Sequence, residues 1–256
     1  MSDYDRYANT RFGSGVSRSG AGAIDQGLRA YMLGVYNYMT LGLGVTGLVA
    51  FAAYKAAVIE SATGHIIGLT GFGEAIYTSA LRWVVIFAPL ALVFWISAAR
   101  NTMSVGAARL AFLVFSAAIG LSLSTVFLVY THDSIARVFF ETAAAFGALS
   151  LYGYTTSRSL SAMGSFLIMG LFGIIIASLV NIFLQSSGLQ WAVSILGLGI
   201  FAGLTAWDTQ SIKEAYFVGG GYEATEKKAI YGALSLYLDF INMFQFLLML
   251  TGSRRD

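Results

Sequence analysis

Long apolar runs recur along this chain, separated by short polar segments. A helix needs roughly 20 mostly apolar residues to cross the hydrocarbon of a bilayer. The runs are continuous and lack the alternation that a lipid-facing strand requires. They fall at about 30–54, 82–99, 107–130, 136–156, 163–185, 190–212 and 230–251. The pattern predicts an all-α membrane protein with seven transmembrane helices.

Polar segments set the predicted domain limits. Residues 1–28 are mixed in charge, rich in glycine and serine, and without a signal-peptide pattern. We expect a flexible polar N-terminal tail over 1–28, a transmembrane domain over 29–252 and a short C-terminal tail over 253–256. The first helix is then expected to act as an uncleaved insertion signal. The longest connections are 55–81, where a short interfacial helix is expected, and 213–229.

The composition agrees with a lipid environment. Hydrophobic residues make up 57% of the chain and charged residues 11%, whereas a soluble domain carries about 25% charged residues. The net charge of +2 gives no basic footprint for nucleic acid. The absence of cysteine excludes disulfides, thiolate metal sites and cysteine nucleophiles. We expect the lipid bilayer as the principal partner, and no cofactor.

Basic residues near the ends of the spans predict the orientation, because they concentrate on the cytoplasmic side. With a cytoplasmic N-terminus, that side holds the larger set, Arg6, Arg11, Arg18, Arg29, Arg100, Arg109, Arg158, Lys213, Lys227 and Lys228. The opposite side holds the smaller set, Lys55, Arg82, Arg137, Arg254 and Arg255. The N-terminus is therefore predicted to be cytoplasmic and the C-terminus to lie outside.

Three carboxylates fall inside the predicted spans, namely Glu141, Asp208 and Asp239. An ionisable residue at membrane depth costs a few kcal/mol even on lenient insertion scales, so each is a functional candidate. Glu141 lies near the outer end of its helix, where it could reach the interface. It is as well explained by packing as by function.

Asp208 and Asp239 form a stronger case because the topology places them together. The sixth span ends, and the seventh begins, on the same side of the membrane, and the direct connection 213–229 makes the two helices antiparallel neighbours. Both carboxylates then occupy the same half of the bilayer. Polar residues three or four positions away share their helix faces. These supporting residues are Thr205, Ser211, Ser235 and Asn242.

Two carboxyl groups in a low-dielectric site cannot both ionise cheaply, so the pair should titrate as one coupled unit. Such a pair can sense protons. It can also supply hard oxygen ligands to calcium, with water and backbone carbonyls completing the shell. Protons and the cation would then compete for the same oxygens of Asp208 and Asp239. Arg100, at the cytoplasmic end of the second span, is the candidate latch for a closed form.

Three stretches of sequence resemble one family. ALSLYLDFINMF at 233–244 is similar to the seventh-helix signature of the Bax inhibitor family (transmembrane Bax inhibitor motif proteins). AWDTQ at 206–210, followed by Ile212 and Lys213, resembles the sixth-helix aspartate motif of that family. FGALSLYGYTT at 146–156 resembles its bacterial members. The resemblance covers about residues 25–252.

The resemblance implies six helices around a central, polar seventh helix. It also implies a pH-sensitive calcium leak and, in eukaryotic members, control of cell death. Carried over, it makes Asp208 and Asp239 the paired proton sensor, closed by an arginine at the end of the second helix. Ser97 stands at that arginine position here, and Arg100 follows one turn later. The bacterial likeness and the missing cysteines favour a bacterial plasma (inner) membrane.

The leading hypothesis is thus a proton-gated cation leak, for calcium, rather than an enzyme. An intramembrane aspartyl protease also needs two aspartates on adjacent helices, in Tyr-Asp and Gly-x-Gly-Asp patterns. Here Asp208 follows Trp207 and Asp239 follows Leu238, with no Gly-x-Gly before either. A retinal protein would need a lysine in its last span, and 230–251 has none. A regulator that acts through membrane protein partners, without transport, is the remaining alternative.

Overall fold

Helices make up almost all of the computed structural model, which describes residues 15–61, 65–216 and 221–255, with the side chains of 15–25 excepted. The helices are α1 (Gly15–Ala57), α2 (Gly71–Tyr77), α3 (Leu81–Ala99), α4 (Val105–Leu123), α5 (Val126–Val129), α6 (His132–Thr155), α7 (Ser161–Leu184), α8 (Ser187–Glu214) and α9 (Tyr222–Thr251). Two short strands, β1 (Val58–Glu60) and β2 (Ile66–Leu69), pair antiparallel between α1 and α2.

Seven helical segments of the described chain are long and apolar enough to span a membrane. They are Gln26–Ala57, Leu81–Ala99, Val105–Val129, His132–Thr155, Ser161–Leu184, Ser187–Glu214 and Tyr222–Thr251. This confirms the predicted all-α, seven-span fold, with the third span formed by α4 and α5 together. We call the side on which α1 begins the N-terminal side of the membrane and the opposite side the C-terminal side.

Two boundaries differ from the prediction. Helix α1 begins at Gly15, so it includes part of the segment 1–28 that was expected to be a flexible tail; residues 1–14 lie outside the described residues. Helix α9 begins at Tyr222, well before the predicted start at 230. Both extensions are polar, and a helix once formed propagates into residues that a hydropathy window rejects.

Hydroxyl side chains fix the starts of several helices. Ser104, Thr131 and Ser186 each accept a hydrogen bond from a first-turn backbone N–H, at 3.2, 3.3 and 3.3 Å. These caps satisfy donors that have no partner inside the helix. Inside α3, Pro89 removes one backbone donor, which is tolerated where neighbouring groups compensate.

Helix α9 is the centre of the bundle. In its most apolar window 56% of the residues are buried, compared with 11% for α3 and for α7. It packs most extensively on α8 and α1 and also contacts α6 and α4. Helix α3 packs mainly on α4, and α7 on α8. The central seventh helix is confirmed, and α3 and α7 are the outermost of the six around it.

The C-terminal side is closed by the β1–β2 hairpin, α2 and the end of the chain. A short helix, α2, is present in the connection where an interfacial helix was expected, whereas the hairpin was not predicted. Arg254 forms an isolated bridge with Tyr130. Arg255 donates a hydrogen bond to the Tyr54 hydroxyl at 2.8 Å and lies over its ring. The chain end is thereby held against α1 and the start of α6.

Candidate functional site

Asp208 and Asp239 meet at the contact between α8 and α9. Their carboxyl groups lie close enough to interact electrostatically. The register of the two helices explains the meeting. The Cα of Gly232 faces the side chain of Ile212, and a Cβ there would lie 3.1 Å from it, a tight contact. On the other flank, the Thr205 hydroxyl lies 3.4 Å from the Met243 sulfur. Between these contacts the two aspartates stand at the same level.

The site is buried and short of partners. Asp239 is 4% exposed, and its Oδ2 atom has no hydrogen-bond partner among the described residues. Asp208 is partly buried. Two ionised carboxylates this close would repel each other strongly in a low-dielectric interior. The arrangement therefore fits a pair that shares at least one proton.

No cation neutralises the pair in the described part of the chain. The ion pairs found there are Lys55–Glu60, Arg109–Glu226 and Arg137–Glu141. The same residues contain no group of three or more His, Cys, Asp or Glu that could hold a metal ion. Two carboxylates alone would leave most of a calcium shell to water and backbone carbonyls, since calcium takes roughly 6–8 oxygens.

Arg100, the candidate latch, lies away from the pair. Its guanidinium sits 5.4 Å from the ring centroid of Tyr231, and its carbonyl accepts the Tyr231 hydroxyl at 3.2 Å. Tyr231 lies eight residues before Asp239 on α9, which is a distance of about 12 Å along the helix axis. Ser97 donates to the Val93 carbonyl in its own helix, at 2.7 Å. A latch between Arg100 and the aspartates is not formed in this conformation and stays a prediction.

The other predicted site residues lie near the pair without bonding to it. Thr205 is fully buried and donates to the Phe201 carbonyl at 2.8 Å. Asn242 donates to the Leu238 carbonyl at 2.8 Å. Ser211 and Ser235 are partly buried, and no side-chain hydrogen bond joins either of them to an aspartate in the described residues.

Glu141 lies apart from this site. Its side chain is 48% exposed and sits 3.8 Å from the Arg137 guanidinium one turn earlier. An exposed pair of this kind contributes little. Glu141 is therefore not part of the site that the two aspartates form.

A buried chain of hydroxyls beside the pair was not predicted. The Tyr36 hydroxyl lies 2.6 Å from Ser150 Oγ, which lies 2.9 Å from Thr209 Oγ1. The chain joins α1, α6 and α8, and Thr209 directly follows Asp208. Ser150 lies in the motif FGALSLYGYTT and Thr209 in the motif AWDTQ. The sequence therefore contained both residues, but only the fold shows that their side chains are in contact.

A second unpredicted network lies on the opposite face of α9. The Tyr237 hydroxyl is 2.6 Å from Thr46 Oγ1, which also lies 2.9 Å from the Ser116 carbonyl. Tyr237 is fully buried, with the rings of Phe112 and Phe115 at its edges. Polar contacts thus follow α9 through the interior, which agrees with the polar seventh helix that the family resemblance implies.

A third network ties the N-terminal side together. Glu226 accepts hydrogen bonds from the Tyr38 hydroxyl at 2.5 Å and from the Arg109 guanidinium at 2.6 Å. It joins the first turns of α9 to α1 and α4. The sequence placed Glu226 in a charged loop because the apolar run begins only at 230, and no local pattern distinguishes it from Glu223.

With the geometry of the acidic pair established, comparison with known proteins decides the family. The profile of the family described as Inhibitor of apoptosis-promoting Bax1 matches residues 28–256. The chain belongs to the Bax inhibitor family. The match covers all seven spans except the first two residues of the first one.

Similar proteins occur in distant bacteria. A protein of Rickettsia prowazekii is 47% identical over 232 residues, which cover 91% of this chain and 93% of the relative. The inner membrane protein YbhL of Escherichia coli is 46% identical over 235 residues, covering 90% and 94%. A membrane protein of Streptococcus pyogenes is 32% identical over 228 residues, covering 89% and 94%. This Bax inhibitor family member is a multi-pass integral membrane protein.

Proposed function

We propose that this protein is a proton-gated cation leak, for calcium, whose gate is the pair Asp208 and Asp239. The observation that carries the proposal is the meeting of the two carboxyl groups in the interior of a seven-span bundle, with Asp239 Oδ2 left without a partner. A structural carboxylate would be expected to find donors, because a buried polar group without them is costly. Here each acid faces the other.

Loss of the shared proton is the proposed trigger. Two negative charges in a low-dielectric site repel strongly. The repulsion is relieved when a cation arrives or when the helices around the pair rearrange. Calcium is a hard cation and suits the carboxylate oxygens. Two carboxylates are few for a calcium site, which favours brief binding during transport over a permanently bound ion.

Helix α3 is the element proposed to move. It is little buried, packs mainly on α4 and carries Pro89 within its span. Its end contacts α9 through Arg100 and Tyr231. Displacing α3 would therefore leave the contacts among α1, α6, α8 and α9 in place, while it changes access to the half of α9 that holds Asp239.

A flux assay tests this proposal. Purified protein is reconstituted in liposomes that contain a calcium-sensitive dye, and influx is followed from weakly acidic to weakly alkaline pH. Wild-type protein should conduct calcium with a pH-dependent rate, and Asp239→Asn should lose the pH dependence. Glu141→Gln is the matched control, because it removes an exposed carboxylate from another span.

Two results would contradict the proposal. The absence of flux through the purified wild-type protein would favour a regulator that needs protein partners. An Asp239→Asn variant that folds, conducts and keeps the wild-type pH profile would show that the pair does not control the leak.

A further inference from the structure

A deep apolar groove opens towards the lipid between α1 and α6. Both helices pack on α9, and they share little direct contact apart from the hydrogen bond between Tyr36 and Ser150. We call this cavity the lateral groove. Its volume is about 840 Å³, and Phe240 of α9 forms its floor. A smaller cavity of about 550 Å³ continues it towards the C-terminal side.

The lateral groove has the length of one lipid leaflet. Along α1 it extends from Arg29 to Leu43, which corresponds to about 21 Å at 1.5 Å per residue. One leaflet contributes about 15 Å of hydrocarbon, half of a core of about 30 Å. The groove therefore covers the acyl region of the leaflet on the N-terminal side and reaches its head groups.

The walls suit an acyl chain. Met32, Leu33 and Phe146 line the groove, so water would find few partners along most of its length. Gly147 opens the α6 wall, because no atom lies within 4 Å of the position that its Cβ would take. A concave apolar surface at this depth of a membrane protein is in contact with lipid chains.

The mouth of the groove is basic. Arg29 lines it and is exposed. Lys213 donates to the carbonyl of Tyr154, a lining residue, at 2.8 Å. The described lining residues include no carboxylate. Basic side chains at this level attract anionic head groups. Deeper in the groove, about 10 Å from Arg29 along α1, the Tyr36 hydroxyl donates its proton to Ser150 Oγ at 2.6 Å, so it takes no part in holding the head group.

We propose that the lateral groove is a binding site for one anionic phospholipid of the leaflet on the N-terminal side. One acyl chain lies between α1 and α6 on Phe240, and the phosphate lies at Arg29. This site is separate from the acidic pair, and the proposal holds whether or not the protein conducts ions.

Native mass spectrometry of the full chain tests the site. The protein is purified in micelles that contain equal amounts of phosphatidylglycerol and phosphatidylcholine, and retained lipids are counted. Wild-type protein should retain phosphatidylglycerol preferentially. Gly147→Phe should lose the retained lipid, because the new ring fills the groove. Gly173→Phe is the matched control, since Gly173 is also an exposed helical glycine with no atom near its Cβ position and lies outside the groove.

A second pair of variants tests the head-group contact. Arg29→Gln should reduce the preference for phosphatidylglycerol over phosphatidylcholine by about fivefold while a lipid is still retained. Arg158→Gln, which removes an exposed charge on the same side, should keep the preference. Thr40→Phe fills the groove from the α1 wall and replaces Gly147→Phe if that variant does not fold.

The proposal is overturned if Gly147→Phe and Thr40→Phe both retain as much lipid as the wild type. The counted lipids would then be bound elsewhere on the surface. An unchanged preference in Arg29→Gln would overturn the assignment of the phosphate to Arg29.

Discussion

The backbone of Gly153 lies directly against the carbonyl oxygen of Ala206, so that a Cβ at Gly153 would overlap this oxygen. At this contact the backbones of α6 and α8 lie close together. One turn away along α6, Ser150 reaches Thr209 at 2.9 Å. Small residues allow this kind of close helix packing in lipid. The glycine therefore sets the position of the α8 segment that carries Asp208.

Gly153→Ala should destabilise the protein by about 1–3 kcal/mol, because the added methyl group has to displace backbone. Gly147→Ala on the same helix has open space at its Cβ and should be neutral or slightly stabilising, since alanine favours helix. Unfolding in mixed micelles measures both. Equal stability of the two variants would show that α6 and α8 separate freely at this point.

Tyr237→Phe should lower the free energy of unfolding by about 1 kcal/mol, since it removes a buried hydrogen bond and leaves the Thr46 hydroxyl with fewer partners. Tyr152→Phe is the control, because Tyr152 is 50% exposed. The same unfolding assay applies. If both changes cost equally little, the contact between Tyr237 and Thr46 does not stabilise the bundle.

Glu226→Gln should loosen the N-terminal side, because the ion pair with Arg109 is lost and the acceptor for Tyr38 becomes weaker. The expected result is faster amide hydrogen exchange in the first turns of α9. Glu223→Gln, at an exposed position of the same turn, should leave exchange unchanged. Identical exchange in both variants would argue against a tie between α9, α1 and α4.

Asp208→Asn and the double variant Asp208→Asn/Asp239→Asn should show the same pH-independent flux as Asp239→Asn. The reason is that either substitution alone removes the shared proton, so effects within a coupled pair do not add. Liposome flux of the three variants at several pH values provides the measurement. Additive changes would indicate that the two carboxylates act independently.

Acidification should release the contact between the β1–β2 hairpin and α1. Hydrogen bonds from Lys55 and Tyr54 lower the pKa of Glu60 below its ordinary value. A lowered pKa means that the contact stabilises the fold above the pKa of the free side chain and is lost as pH falls through the pKa in the folded protein. A fluorophore on Ile67→Cys, the sole thiol, should gain mobility in acid. With Glu60→Gln the mobility should already be high at neutral pH.

The helices and the acidic pair could be predicted because each depends on short-range information. Apolar runs of spanning length identify the helices, and a single direct connection between the last two spans places Asp208 beside Asp239. The start of α9 was predicted too late, because residues 222–229 are mostly polar and a search for apolar runs does not detect them. The hydrogen-bond partners of Glu226 are Arg109 and Tyr38, which lie on other spans, so the local sequence does not reveal them.

The hydroxyl networks could not be predicted for a related reason. A threonine or serine in a helix can donate to its own backbone, as Thr205 and Ser97 do, so its residue type does not reveal an interhelical contact. Ser150 and Thr209 are 59 residues apart in sequence. Only the packing of α6 on α8 shows that these two hydroxyls contact each other, whereas others bond only to a carbonyl of their own helix.

Gln210, two residues after Asp208, accepts a hydrogen bond from the Leu160 backbone at 2.7 Å and donates one to the Arg158 carbonyl at 2.8 Å. The connection between α6 and α7 is thereby fastened to α8 and has to turn with it. A rotation of α8 about its axis would therefore also move the water-exposed residues of this connection. A spectroscopic label at Ser157, outside the membrane, would therefore report a rotation of the helix that carries Asp208.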